Sequence, residues 1–289
     1  MKRRIICNPT AVARRHAWIG RSIGAALLFF SLFSTARAAD ELVYSFGVTP
    51  QFDSRTTNDT WSPILAQLQA RTGLRFELMG APNIPAFERR FGQQEFDFAY
   101  VSPYLAMLAS SSYVPLVRDV ATLLVGIIVV RKDGPIQDLR SLQGKSMAFP
   151  APNAMAASLM TRAHLDQLGV AVQPHYVKTH TSVYLNVALG QTDAGGGVLQ
   201  TLEEQPLNVR ERLRVLDKTI GVAPHPVVAN KRIDPKVRER VRAALLALGE
   251  TAEGRALLVK VPINRLGRAD AEDFLPLKRL GLNKFYVEN

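Results

Sequence analysis

Three stretches of this 289-residue chain bring hydroxyls, an imidazole and small residues to points where a strand-like run gives way to a helix-like one. They are Tyr100-Val101-Ser102-Pro103, Pro150-Ala151-Pro152-Asn153-Ala154-Met155-Ala156-Ala157-Ser158, and Thr179-His180-Thr181-Ser182-Val183. A helix start leaves backbone N–H groups without intrahelical partners and carries a partial positive charge. Hydroxyls add donors, and small side chains let a ligand reach the backbone. Several such starts facing one cleft hold a small oxyanion without any Lys or Arg. The plainer role of a single Ser or Thr there is to cap its own helix. Three in register across two lobes argue that at least two serve binding. His180, beside two hydroxyls, is placed to donate to an anion.

Signals for covalent chemistry are thin. There is no Gly-x-Ser-x-Gly elbow, no His-Glu-x-x-His and no paired-carboxylate motif. Asp53, Asp59, Asp97 and Asp193 are scattered. His164, His175, His180 and His225 have no chelating spacing, so neither metal nor cofactor is expected. Gly195-Gly196-Gly197 allows close approach or a tight turn, and lacks the Gly-Lys-Ser/Thr ending of a phosphate loop.

The elements that must position these residues alternate. Residues 42–48 read as a strand, with Leu42, Tyr44, Phe46 and Val48 in strict alternation. Residues 50–59 read as a polar loop and 61–71 as a helix started by Ser62-Pro63. Further strands are predicted at 96–101, 123–131, 146–149, 174–178, 193–198, 212–217 and 227–230. Further helices are predicted at 104–109, 153–168, 182–189, 235–248 and 252–259. This alternation predicts α/β layers with mostly parallel sheets. The order of elements repeats once, which predicts two lobes with a ligand cleft between them. Residues 39–123 would form the first lobe, 124–228 the second, and 229–289 would return to the first. Extended crossings at 123–132 and 221–231 would serve as the hinge.

Residues 1–38 read as a secretory signal peptide: a basic start, an apolar run from Ile23 to Phe33, and Ala36-Arg37-Ala38 before the cleavage point. Arg14-Arg15 sits in surroundings that fit a twin-arginine signal poorly. The chain's 36 Lys and Arg, less seven in residues 1–38, leave 29 against 25 acidic residues, a net charge of +4 in place of +11. That charge calls for no nucleic acid. The single cysteine, Cys7, falls in the signal. The exported chain therefore has no disulfide, thiol nucleophile or lipid-anchoring cysteine.

At the same junctions the chain resembles the phosphate/phosphite/phosphonate-binding branch of the type II periplasmic binding proteins, which feed ABC importers. The likeness is carried by residues 46–51 (FGVTPQ), 96–103 (FDFAYVSP), 138–145 (DLRSLQGK) and Ala148-Phe149-Pro150 with 154–158 (AMAAS). His180-Thr181-Ser182-Val183 and 190–195 (GQTDAG) complete it. It spans roughly residues 42–256. The resemblance implies two lobes that close on an oxyanion, with contacts from Tyr100, Ser102, Asn153, Ala154, His180, Thr181, Ser182 and Asp193. Asp193 would accept a proton from a protonated ligand oxygen or meet an ammonium group. Asn153-Ala154-Met155 departs from the Ser/Thr-rich form of that loop in tight oxyanion binders, which keeps a sulfonate or other organic anion as the alternative ligand.

The resulting expectation is a monomeric periplasmic receptor that delivers a phosphonate-like oxyanion to an ABC permease, with no catalytic residues. The alternative is a receptor of the same fold that reports to a membrane sensor. A secreted hydrolase lacks its motifs. An iron-binding pair of lobes, using Tyr100, His180 and Asp193, is the remaining alternative.

Overall fold

The first strand sets the first core. In the computed structural model, which describes residues 42–288, β1 (Val43–Val48) turns Tyr44, Phe46 and Val48 into one apolar cluster. The export segment predicted at residues 1–38 lies outside the described residues. Helix α1 (Ser54–Thr72) lays Trp61, Ile64, Leu65 and Leu68 on the same cluster. Each such side chain contributes about 1.5–3 kcal/mol on burial. The helix begins seven residues before the predicted start. Asp53 accepts from the Thr56 N–H (3.0 Å) and hydroxyl, which caps a turn that composition alone reads as loop. Pro63 consequently sits inside the helix. Gly73, in left-handed conformation (φ 67°), ends it.

The chain continues through β2 (Arg75–Met79), α2 (Ile84–Gly92), β3 (Phe98–Tyr100), α3 (Pro103–Leu108) and β4 (Tyr113–Asp119). It then crosses to β5 (Gly126–Arg131) and β6 (Ser146–Phe149). A π-helical segment, Met155–Met160, runs into α4 (Thr161–Gln167). β7 (Gln173–Tyr176), α5 (His180–Ala188), β8 (Ala194–Val198), α6 (Leu199–Glu203), α7 (Leu207–Arg210) and β9 (Leu213–Lys218) complete the second lobe. The chain returns as β10 (Val227–Asn230), α8 (Pro235–Glu250), α9 (Ala252–Leu258) and β11 (Leu266–Arg268), and ends in 3-10 turns at Ala271–Arg279 and Leu282–Lys284.

Two sheets result, ordered β11-β4-β10-β3-β1-β2 and β7-β6-β8-β5-β9. Both are mixed, which corrects the expectation of mostly parallel sheets. β1–β2, β1–β3, β6–β7 and β6–β8 are parallel. Every pairing of β5 and β10, the strands that arrive through a crossing, is antiparallel, as is β11–β4. The alternation rule assumes a helical crossover before each strand; these two enter directly from the other lobe. Because β10 begins at Val227, the return to the first sheet comes before the predicted residue 229.

The crossings meet at a β-bridge, where Leu124 and Val222 exchange N–H···O bonds of 2.8 and 3.0 Å. Helices α8 and α9 pack on the first core through Val241, Leu245, Leu248 and Leu258. The last residues form a strap. Phe274, Leu277 and Leu282 join Tyr104 of the first lobe and Met155, Leu159 and Met160 of the second in one apolar cluster. Arg118 grips Asp273 with two bonds (2.8 and 3.0 Å), Lys284 pairs with Asp166, and Arg162 lies over the Phe285 ring (4.5 Å).

Candidate ligand site between the lobes

A cavity of about 50 Å3 opens where the carboxyl ends of strands from both sheets face each other. A water-sized body takes roughly 10–15 Å3 on this measure, so the space suits a ligand of a few heavy atoms. The first-lobe wall begins just past β1, with Thr49 and Gln51. The Thr49 N–H donates to the Tyr100 carbonyl (3.0 Å), which fixes the loop to β3. Its hydroxyl, on a residue only 6% exposed, has no hydrogen-bond partner among the described residues. Ser102 follows β3 and caps α3, accepting from the Leu105 N–H (3.2 Å). His225, on the second crossing, is buried, with Nε2 3.1 Å from Gln51 Nε2 and its ring 5.4 Å from that of Tyr100. Burial lowers its pKa to about 4, so the ring is neutral at physiological pH. Glu88 comes from the buried face of α2 beside Phe87 and Phe91.

The second-lobe wall is made of small residues. Ala154, Met155, Ala156 and Ala157 line it, in the π-helical turn after β6. The Ala154 carbonyl accepts from both Ser158 N (2.7 Å) and Leu159 N (3.1 Å), which widens the turn. The sequence pattern predicts an ordinary helix over 153–168; its first two turns differ because their backbone lies directly on the sheet. A Cβ at Gly196 would stand 1.9 Å from the Ala157 carbonyl oxygen, and one at Gly126 2.3 Å from that of Ala156. Glycine on β5 and β8 is what admits this approach. His180, the first residue of α5, completes the wall, half-buried, with Nδ1 3.4 Å from the Thr201 hydroxyl. Burial lowers its pKa to about 4 as well.

Of the predicted contacts, Ser102, Asn153, Ala154 and His180 meet at this cavity. The others do not. Tyr100 stands one layer behind, packed between Trp61 (4.9 Å) and His225, and lines only a recess of about 10 Å3. Burial raises its phenol well above the usual tyrosine range. Thr181 is exposed away from the cavity. Ser182 is taken up by the cap of α5: its N–H and its hydroxyl both meet Thr179 Oγ1 (3.0 and 2.9 Å). Asp193 is at the other end of β8 from this cavity. It accepts from the Ser146 hydroxyl (2.7 Å) and N–H (2.9 Å) where β6 and β8 begin, whereas the cavity lies where they end. The Ser146 hydroxyl holds its carboxylate below the usual range. A five-residue strand separates the two ends by roughly 16 Å.

Asn153 reaches the cavity with its amide already engaged. Nδ2 donates to Glu88 (2.6 Å) and to the Val287 carbonyl (2.7 Å), and Oδ1 accepts from the Val287 N–H (2.9 Å). It ties both lobes to the end of the strap. Sequence reasoning missed Thr49, Gln51, Glu88 and His225 as lining residues. Thr49-Pro50-Gln51 follows β1 as Ser102 follows β3, so the strand-end rule already pointed to it. Glu88 interrupts the apolar stripe of α2. His225 carries no local signal.

Among the described residues the lining holds no Lys or Arg; its titratable groups there are Glu88, His180 and His225. Neither imidazole addresses Ser102, since His180 meets Thr201 and His225 meets Gln51. Such a cavity can hold a small anion through hydroxyls, imidazoles and helix-start N–H groups. Among the described residues no cluster of three or more His, Cys, Asp or Glu could hold a metal ion. No helix there is long and apolar enough to cross a membrane.

A family model described as the periplasmic substrate-binding protein of phosphonate ABC transporters matches residues 46–274. Solved structures share the fold. A binding-protein component of an ABC phosphonate transporter from Pseudomonas aeruginosa is 20% identical, with 85% of this chain and 87% of that chain covered and a TM-score of 0.75. PhnD1 from Prochlorococcus marinus, in complex with methylphosphonate, is 16% identical, with 84% and 98% covered and a TM-score of 0.75. The periplasmic VFT2 domain of BvgS from Bordetella pertussis is 19% identical, with 77% and 94% covered and a TM-score of 0.54.

Proposed function

The chain belongs to the family of periplasmic substrate-binding proteins of phosphonate ABC transporters, and from that premise we propose that it captures a small phosphonate-type oxyanion between its lobes and hands it to the membrane permease. The family is a transport family, and the proposed role is binding and release of an unchanged ligand by a monomer exported through the leader at residues 1–38. The observation that carries the reading is the unpartnered Thr49 hydroxyl, buried in an inter-lobe cavity of about 50 Å3. A buried hydroxyl without a partner costs about 1–3 kcal/mol, which a ligand oxygen would recover. Thr49, Ser102, His180, His225 and the backbone around Ala154 are the proposed contacts. The space fits methylphosphonate, the ligand of the Prochlorococcus relative. Lobe closure would turn on the two crossings at the Leu124–Val222 bridge.

Thermal unfolding of the exported chain with methylphosphonate, phosphite, phosphate, sulfate and methanesulfonate tests this. Ligand at 100 times its dissociation constant adds about 2.7 kcal/mol, a rise of several degrees in Tm. The reading expects the largest rise with a phosphorus oxyanion and recovery of that ligand unchanged. A response confined to the sulfur anions, or none, overturns it.

A further inference from the structure

We infer that His180 and His225, one imidazole on each wall of the cavity, form a proton-linked anion clamp: a bound phosphonate draws one proton from solvent onto the pair. This rests on the ligand reading above and adds to it the source of the positive charge.

The two rings come from elements far apart in sequence, the start of α5 and the second crossing, and line one cavity. Among the described residues no fixed cation accompanies them there, and Glu88 contributes a carboxyl group. A doubly charged anion entering such a space loses its hydration and meets no formal positive charge. An imidazole is the lining group that can supply one. In the ligand-free protein burial keeps both rings neutral. An anion against either ring favours its protonated form.

The neighbours allow the change. As placed, Gln51 donates to His225 Nε2, so the proton of the neutral ring sits on Nδ1. Turning the Gln51 amide over presents its carbonyl to Nε2 and accepts the second proton. Tyr100, stacked on the ring, stays a phenol, and Asp119 acts on that phenol from the end of β4. Around His180 stand the Thr201 hydroxyl and, through it, the Tyr184 phenol, which faces Glu204. None of these brings a positive charge to either ring. Protonation of both rings would set two like charges in one small cavity, so the pair takes one.

Linkage fixes the sign. The bound state holds one more proton than the free state, so affinity strengthens as pH falls, by about tenfold per pH unit between the free and bound pKa values.

The test is calorimetry of methylphosphonate binding to the exported chain at pH about 9, well above a phosphate-type second ionisation. Buffers of different ionisation heat report the proton count. Proton uptake is expected, well short of one per ligand at this pH because the free rings start from a pKa of about 4, and rising towards one as the pH is lowered, after allowance for the ligand's own ionisation. H225Q and H180Q should each weaken binding and remove most of the uptake. Histidine side-chain 15N spectra of the wild-type complex, needing no variant, should show one imidazolium as the pH is lowered. No uptake in the wild type as the pH is lowered, uptake unchanged in both variants, or two neutral rings in the complex throughout overturns the clamp. Failure of methylphosphonate to bind while phosphite or sulfate binds removes the ligand reading alone, and the same counts on that anion decide the clamp. If no anion binds, both fall.

Discussion

The first-lobe wall of the cavity is built from polar residues, Thr49, Gln51, Ser102 and His225 among them, whereas the second-lobe wall is built from the small residues Ala154, Ala156 and Ala157 with Met155, and His180 beside them. The first wall depends on which groups the residues carry. The second depends on how closely the chain approaches the sheet, and therefore on residues that lack a side chain. Gly126 and Gly196 are not among the residues that line the cavity, yet they set the position of the π-helical turn. A substitution in one wall should alter recognition; a substitution under the other should alter the lobe itself.

The largest effect separates the walls most sharply. Gly196→Val would drive a Cβ to 1.9 Å from the Ala157 carbonyl oxygen and 2.7 Å from the Phe149 ring. Neither backbone nor buried ring can yield, so a loss of about 4 kcal/mol or more is expected, with failure of the second lobe to fold as the extreme. Gly80→Ala, where an added Cβ meets nothing within 4 Å, should change stability by about 0.5 kcal/mol or less. Denaturant unfolding of both variants reads the contrast; similar losses would end the idea that the second wall depends on close approach.

Acid titration probes the first wall next. His225 is neutral in the fold with a pKa of about 4, against an ordinary value of 6.5 in the unfolded chain. Between those values the unfolded chain binds more protons, so its share of stability is full above pH 6.5 and falls as pH drops towards 4. By pH 4.5 the loss should be about 2–3 kcal/mol. The stability gap between wild type and H225Q should shift by that amount between pH 7.5 and 4.5, measured in urea. A gap that stays constant with pH would show that burial does not hold this ring neutral.

Asn153 joins the walls to the strap, and its loss should cost less. Asn153→Ala removes bonds of 2.6–2.9 Å to Glu88 and Val287, for about 1–2 kcal/mol. Removal of residues 287–289 should cost a similar amount, and the two changes together should cost little more than either alone. Full additivity in Tm would mean that the amide and the strap act independently.

What the sequence disclosed follows the same division. The alternation in β1, the Ser102-Pro103 start of α3 and the two-lobed α/β layering are local patterns, and each reads directly from residue type and spacing. Direction in the sheets did not, because β5 and β10 enter from the opposite lobe and no local pattern records that. Gly195-Gly196-Gly197 is legible as a place of close approach, but which backbone approaches is a tertiary fact. Asp193 is a ligand contact only by what the family resemblance implies; the pairing with Ser146 shows that it stands at the amino-terminal ends of β6 and β8. His225 escaped notice because its place depends on the crossing.

Ser102 and Ser182 make the finest comparison, since both are hydroxyls in the first turn of a helix. Ser102 caps α3 and faces the cavity; Ser182 spends its hydroxyl on Thr179 and does not line it. Ser102→Ala should weaken methylphosphonate binding by about tenfold, the loss of one hydrogen bond to a charged group. Ser182→Ala should leave affinity within about twofold, since its cap is supplied by Thr179, and Asp193→Asn should behave the same way. Calorimetry on the three variants ranks them. A tenfold loss at Ser182 matched by none at Ser102 would move the anion to the start of α5 and away from the junction after β3, because a hydroxyl that caps its own helix gains nothing from a ligand it does not face.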